Sequence, residues 1–204
     1  MKKQILFIHG GTSFSKHDNF LRYLENLPLD RVLKADSKRW PENIKSLQSE
    51  DCEVFYPKMP NTQNSKYEEW KIWFERHFEV LHDELILMGW SQGGLFLLKY
   101  LSENKMPVQI KTLFLVAPVF VALVDEKTQE DGGDFNFDTS QVGKVGNQVS
   151  DIQIFHSKDD FVVPYEHSVK LQAALPKATL HTFEDRNHFL QEEFPEIIDL
   201  LKQV

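Results

Sequence analysis

A single cysteine, Cys52, stands among the 204 residues. A lone thiol closes no internal disulfide, which removes disulfide-framed secreted domains from consideration and points to a reducing, cytoplasmic setting. Long apolar runs are missing as well: nothing approaches the roughly 18 consecutive apolar residues that a membrane-spanning helix needs. The opening MKKQILFIHGG carries two lysines as a secretory leader would. Its apolar run ILFI is too short for such a leader and no cleavage pattern follows, so it reads as a first strand. Basic charge is scarce. The 23 Lys and Arg are outnumbered by 31 Asp and Glu, a formal charge of −8, which would repel phosphate backbones and excludes nucleic acid as a natural partner. The helical H-E-x-x-H metal signature is absent, and His77 and His82 are five apart, off one helical face.

What is present is a globular composition, 41% hydrophobic and 26% charged with sixteen phenylalanines, enough for one domain over 1–204 with a full core. Short β-type runs, QILFI (4–8), EVFYP (53–57), LILMG (85–89), KTLFLVAP (111–118), DIQIFHS (151–157) and ATLHTF (178–183), alternate with helical patterns. That alternation predicts an α/β fold with a parallel sheet covered by helices on both faces. In KYEEWKIWFERHFEVLHDE, Trp70, Trp73, Phe74, His77, Phe78 and Leu81 fall on one helical face and are expected in the core. Pro195 either kinks the last helix or opens a shorter one. The polar stretch 125–149 breaks the rhythm, with four of the nine glycines, and reads as a flexible insertion or lid-like segment reaching from about 119 to 149. NTQNSK and the Trp40–Pro41 corner read as solvated connections.

The stretch GWSQGG, Gly89 to Gly94, follows an apolar strand and precedes LFLLKYL. A G-x-S-x-G match alone is weak, arising by chance in about one chain in fifteen of this length. Its strand-to-helix context gives it meaning, because in such a corner only small residues fit two positions either side of the serine. The hydroxyl of Ser91 is then displayed at the carboxyl end of the sheet, and the N–H of Gln92, at a helix start, points where an oxyanion would develop. The alternative is a serine that merely caps the helix.

A serine nucleophile needs a base. Of the four histidines that follow, His188 lies in the loop EDRNHF after the last strand and is the candidate; His156, near a strand end, is the reserve, while His167 and His181 fall within a helix and a strand. In HSKDDFVVP either Asp159 or Asp160 could orient the imidazole, and Asp160 is preferred, with Asp159 left as a turn residue. The loop IHGGTSF should supply the second oxyanion donor, Gly11 or else Thr12, with His9 as a brace. As a phosphate cradle it lacks both the P-loop lysine and the third glycine of a dinucleotide fingerprint. Trp90, Phe14, Phe120, Phe161 and Phe189 neighbour these residues in the chain and suggest an apolar acyl slot, though core packing explains each as well. Cys52, beside acidic residues, is a poor nucleophile.

Together HGG, GWSQGG, DDFVVP and NHF, in this order, resemble the α/β-hydrolase superfamily over nearly the whole chain. The start on the HGG strand, and MPN at 59–61 followed by Trp70, resemble the small serine hydrolases related to retinoblastoma-binding protein nine. The resemblance implies a three-layer αβα sandwich, no cofactor, and a triad of Ser91, Asp160 and His188. HGGTSF departs from the proline-glycine-asparagine type of loop common in close relatives, which leaves the second oxyanion donor open. The function expected is hydrolysis of a small-molecule ester, or an amide, through an acyl-enzyme on Ser91. The competing reading is a catalytically silent hydrolase fold that binds a ligand or a protein partner.

Overall fold

The computed structural model describes residues 2–28, 39–121 and 124–204. All six apolar runs become strands: β1 (Lys3–Ile8), β2 (Cys52–Phe55), β3 (Leu85–Trp90), β4 (Ile110–Val116), β5 (Val149–Ser157) and β6 (Thr179–Phe183). They pair in parallel throughout, in the order β2-β1-β3-β4-β5-β6. Their continuous apolarity has a simple cause, since side chains alternate across a strand and both faces here are covered. Leu6, Ile8, Leu85, Leu87, Leu113 and Leu115 enter one core, and Ile5, Phe7, Ile86, Met88, Phe114 and Val116 enter the other.

Six α-helices lie among the described residues: α1 (His17–Asn26), α2 (Pro41–Lys45), α3 (Tyr67–Glu75), α4 (Gln92–Glu103), α5 (Glu166–Ala174) and α6 (Pro195–Gln203). The first core takes Trp70 and Phe74 from α3, the leucines of α4 and Leu171 of α5. The second takes Ile44 of α2 with Ile197 and Leu201 of α6. The result is the three-layer αβα sandwich expected, with Pro195 opening α6 instead of kinking a longer helix. Between Gln92 and Ser102, α4 exposes part of Lys99 alone, which accounts for its almost wholly apolar sequence.

Three expectations change. First, the aromatic stripe does not stay on one face: α3 ends at Glu75 and tightens into a 3-10 turn over Arg76–Glu79. Trp70 and Phe74 are fully buried, but Trp73, at the edge of the stripe, is 44% exposed. His77, rotated by the tighter turn, is only half-buried, with Nδ1 2.9 Å from the Trp73 carbonyl. Second, the Trp40–Pro41 corner is not solvated: the Trp40 ring is fully buried, edge-on to Phe7, Trp90 and Phe194. Third, NTQNSK is more than a surface connection. Its Thr62 carbonyl accepts from Thr12 N–H at 2.8 Å, and Ser65 is fully buried beside Gly11.

The segment after β4, of which residues 122 and 123 lie outside the described residues, forms 3-10 turns over Gly133–Phe135 and Thr139–Asn147. Phe135, Val142 and Val145 are buried in the core shared with α4, and the Phe135 ring meets Trp70 at 5.2 Å. Asp134 accepts from Tyr67 N–H at 3.1 Å at the start of α3, where a carboxylate meets the positive end of the helix dipole.

Candidate active site

The strand order reverses direction between β1 and β3, and the carboxyl ends of strands beside such a switch point frame a crevice. The loop His9–Gly11 leaves β1 there, and Ser91 leaves β3. Ser91 has φ 55° and ψ −118°, a strained conformation for a residue with a side chain, and its hydroxyl does not cap α4. The glycines around it are forced by close approach: a Cβ on Gly89 would lie 2.8 Å from the Gly93 carbonyl, and one on Gly93 would run into the Ile8 carbonyl. The Ser91 N–H is anchored to the Val116 carbonyl at 2.9 Å. The bend therefore holds the hydroxyl out at the end of the sheet.

His188 sits between two residues of positive φ, Asn187 (50°) and Phe189 (53°). Two indoles pin this loop: Trp40 Nε1 donates to the Phe189 carbonyl at 2.9 Å and Trp90 Nε1 to the His188 carbonyl at 3.3 Å. The Trp90 ring faces the imidazole at 5.9 Å, which puts His188 against the residue that precedes Ser91. His188 Nδ1 lies 2.8 Å from Asp160 Oδ2. A carboxylate oxygen can only accept, so Nδ1 carries the proton and Nε2 is left as the basic nitrogen.

Asp160 is fully buried in its side chain. Its Oδ1 accepts from the N–H groups of Val162 (2.8 Å) and Val163 (2.9 Å). Burial alone would push its carboxyl up, but hydrogen bonds from His156 and His188, the charge of His188 and the Val163 N–H together outweigh it and hold the pKa at about 2. Asp159 faces the other way, taking Ser157 Oγ–H at 2.5 Å and Asn187 N–H at 2.9 Å, so it shapes the His188 loop from below.

On the β1 side, His9 is a brace, with Nδ1 2.7 Å from the Gly10 carbonyl and Nε2 accepting from Met59 N–H at 2.9 Å. Burial lowers its pKa, partly offset by the Gly10 carbonyl. Thr12 N–H is committed to Thr62, while Gly11 borders the same cavity as Ser91 and Gln92. The MPN stretch contributes here: Trp70 Nε1 donates to the Pro60 carbonyl at 2.8 Å.

A family model described as serine hydrolase matches residues 34–203. The chain belongs to the serine hydrolase family. YdeN of Bacillus subtilis is 25% identical to it over 210 residues, covering 98% of this chain and 95% of that protein. The solved structure of YdeN superposes with a TM-score of 0.74 at 21% identity, over 99% of this chain and 98% of the other. Est1E of Butyrivibrio proteoclasticus, solved with ferulic acid bound, shares the fold at a TM-score of 0.60 and 15% identity over 98% and 87% of the two chains. So does the Paleococcus ferrophilus monoacylglycerol lipase, at 0.61 and 14% over 98% and 91%. The chain is a member of the α/β-hydrolase superfamily, and the likeness to the small hydrolases related to retinoblastoma-binding protein nine is consistent with these matches.

In this serine hydrolase the cavity beside Ser91 measures about 50 Å³ and is bordered by Gly11, Gln92, Val119, Val162, Val163 and the 125–136 stretch. A larger open groove of about 710 Å³ runs along residues 58–69 and touches His9. Among the described residues, the aromatic side chains suggested by chain proximity are not those that border this cavity. Phe120 and Phe189 are buried in the two cores, Phe14 is buried against Phe20 and Tyr23 of α1, Trp90 backs His188, and Phe161 is 70% exposed. Adjacency in the chain says little about which way a side chain points, and here aliphatic valines and the polar stretch after β4 line the space instead. Among the described residues no group of three or more His, Cys, Asp and Glu is arranged to hold a metal ion, and no helix is long and apolar enough to cross a membrane. The free Cys52 thiol begins β2, and burial, only partly opposed by Lys3, raises its pKa.

The other downstream histidines have separate duties. His181 stacks on Phe155 at 4.5 Å with Nε2 2.6 Å from Gln153 Oε1. His167 Nδ1 accepts from Phe120 N–H at 3.1 Å, tying α5 to the loop after β4. His156 is fully buried against Asp160 and Ser168, a contact that strand spacing does not reveal.

Proposed function

We propose that this serine hydrolase cleaves small carboxylic esters through an acyl-enzyme on Ser91, with His188 as general base and Asp160 as its orienting acid. The observation that carries the reading is the strained backbone of Ser91, which costs stability and has no capping bond to justify it. Support comes from His188, whose Nδ1 is engaged by Asp160 so that Nε2 is the nitrogen available to a hydroxyl. In the first step Ser91 Oγ bonds to the carbonyl carbon and its proton passes to His188 Nε2. The oxyanion is received by the N–H groups of Gln92 and Gly11. Collapse breaks the ester C–O bond, and the alcohol leaves with the proton from His188. Water, deprotonated by the same nitrogen, then attacks the acyl-enzyme and releases the acid and Ser91.

The cavity bears on substrate size. At about 50 Å³ it holds on the order of four water-sized groups, since one needs roughly 10–15 Å³, which favours a short acyl chain. Asp125 and Glu130 border it and disfavour an anionic one. The fold neighbours include a protein holding ferulic acid and a monoacylglycerol lipase, in keeping with ester chemistry, and the lone cysteine is in keeping with a cytoplasmic setting.

The deciding experiment is fluorophosphonate labelling with mass mapping, run beside hydrolysis of a chain-length series of esters. A stoichiometric adduct on Ser91, loss of turnover by about a million-fold in Ser91→Ala, and a preference for short acyl groups are expected. Absence of labelling in folded protein would leave a silent binding module.

A further inference from the structure

Asp160 is held by two imidazoles, not one. His156, on β5, places Nε2 2.9 Å from the Val163 carbonyl and 3.2 Å from Asp160 Oδ2, the same oxygen that His188 Nδ1 approaches at 2.8 Å. Both neighbours of Nε2 are pure acceptors, so Nε2 must carry a proton, shared between them. In the neutral ring Nδ1 then accepts from Ser168 Oγ–H, 2.6 Å away on α5. His156 is fully buried and Ser168 is too, so neither group is available to substrate and solvent does not compete for these bonds. A buried polar residue with every nitrogen engaged around a carboxylate is costly to assemble unless the carboxylate needs it.

We propose that His156 is a positioning residue for the Asp160–His188 pair: its Nε2–H, fixed by Ser168 and Val163, restrains the carboxylate and draws electron density from the oxygen facing His188. The physical consequence follows from competition for one oxygen. Each additional donor stabilises the carboxylate and weakens its hold on the proton of His188 Nδ1, so removing the His156 bond leaves Asp160 to grip that proton more tightly. The Asp160 carboxyl is lowered despite its burial, with the His156 bond the first of several opposing contributions, which agrees with this.

Other titratable groups surround the cluster and have to be kept constant. The Tyr165 ring lies edge-on to His156 at 5.7 Å, and His167, Glu166 and Lys170 share α5. Asp159 and Arg186 flank the loop side through Asn187 N–H and Ser157. None of them contacts Asp160 Oδ2, which singles out His156.

The inference rests on the triad reading above, and its test is chosen to be separable from it. Histidine side chains are titrated by NMR in the full-length protein, in His156→Met, which removes the donor at similar volume, and in His156→Gln, whose amide nitrogen can stand where Nε2 stood. The His188 midpoint is expected to rise by about half to one pH unit in His156→Met, with the low-pH limb of kcat/KM for a short ester moving the same way, and to return in His156→Gln. An unchanged or lowered midpoint in His156→Met, with only a loss of stability, overturns the proposal. Should that variant not fold, nitrogen shifts of wild-type His156 decide: protonation at Nε2 alone supports it and protonation at Nδ1 alone defeats it. If no ester turns over, the enzyme reading falls while the His188 titration still judges His156.

Discussion

The Trp40 indole N–H donates to the Phe189 carbonyl at 2.9 Å across 149 positions of sequence, one residue beyond His188. Trp40 borders neither Ser91 nor the cavity beside it, yet it holds the backbone that carries His188. Trp40→Phe keeps most of the buried ring and deletes that bond, so a loss of about 1 kcal/mol is expected, a fall in Tm of about 2–4 °C. Turnover of a short ester should drop about tenfold because His188 is less well placed. Thermal melts and steady-state rates on one preparation check both, and full activity at a lowered Tm would mean that Trp90 and Asp159 suffice to hold the loop.

Asp160→Asn retains shape but replaces an acceptor-only group with one that can donate. The imidazole then loses the reason to keep its proton on Nδ1, and under the proposed function kcat should fall by about ten thousand-fold, as in established triads. Fluorophosphonate labelling should slow in parallel. Normal labelling kinetics in this variant would remove Asp160 from the mechanism.

Acid should destabilise the protein over two successive pH ranges. Burial, with smaller contributions from His156 and Lys170, lowers the His167 pKa from 6.5 to about 4. The unfolded chain therefore binds more protons than the native one between those values, and the stability from neutral His167 is complete above about 6.5 and lost as pH falls towards 4. The Asp160 contribution, with its pKa lowered from 3.8 to about 2, is lost only below that. His167→Gln, which keeps an acceptor for Phe120 N–H, should flatten the decline of Tm between pH 6.5 and 4. His9 and His181 are lowered too, so a residual slope remains; an undiminished one would contradict the assignment.

Two glycine-to-alanine changes should have opposite outcomes. At Gly93 the new methyl meets the Ile8 and His9 carbonyls of the first strand and its loop, which are main chain and cannot swing away. Gly93→Ala should cost on the order of 3 kcal/mol or prevent folding, as read by denaturant titration. At Gly143 nothing lies within 4 Å of the added Cβ, and Gly143→Ala should leave stability unchanged or raise it by about 0.4–1 kcal/mol.

The elbow was legible because its information is local. A strand-forming run, two glycines at the right distance from a serine and an apolar helix lie within 20 residues, and Ser91 and its glycines hold the conformation that this spacing demands. The strands were legible for the same reason, since burial on both faces leaves a mark on each run separately. Trp73 strayed because it stands at the edge of the stripe within α3, and His77 because helical periodicity cannot register a 3-10 turn that changes the rotation per residue. The aromatic residues near Ser91 in the chain are not among those bordering its cavity, because Phe189 turns into the core and Phe14 packs against α1.

By itself the sequence determined the layers, the strands and the conformation of the bend at Ser91, all of which follow from side-chain periodicity and from sterics within a few residues. Only the tertiary structure decided that His156 shares an oxygen of Asp160 with His188, that Trp40 holds the carbonyl of Phe189, and that valines and the stretch after β4 border Ser91. These depend on where strand order and loop packing bring distant segments together, and a short window of residues carries no record of that geometry.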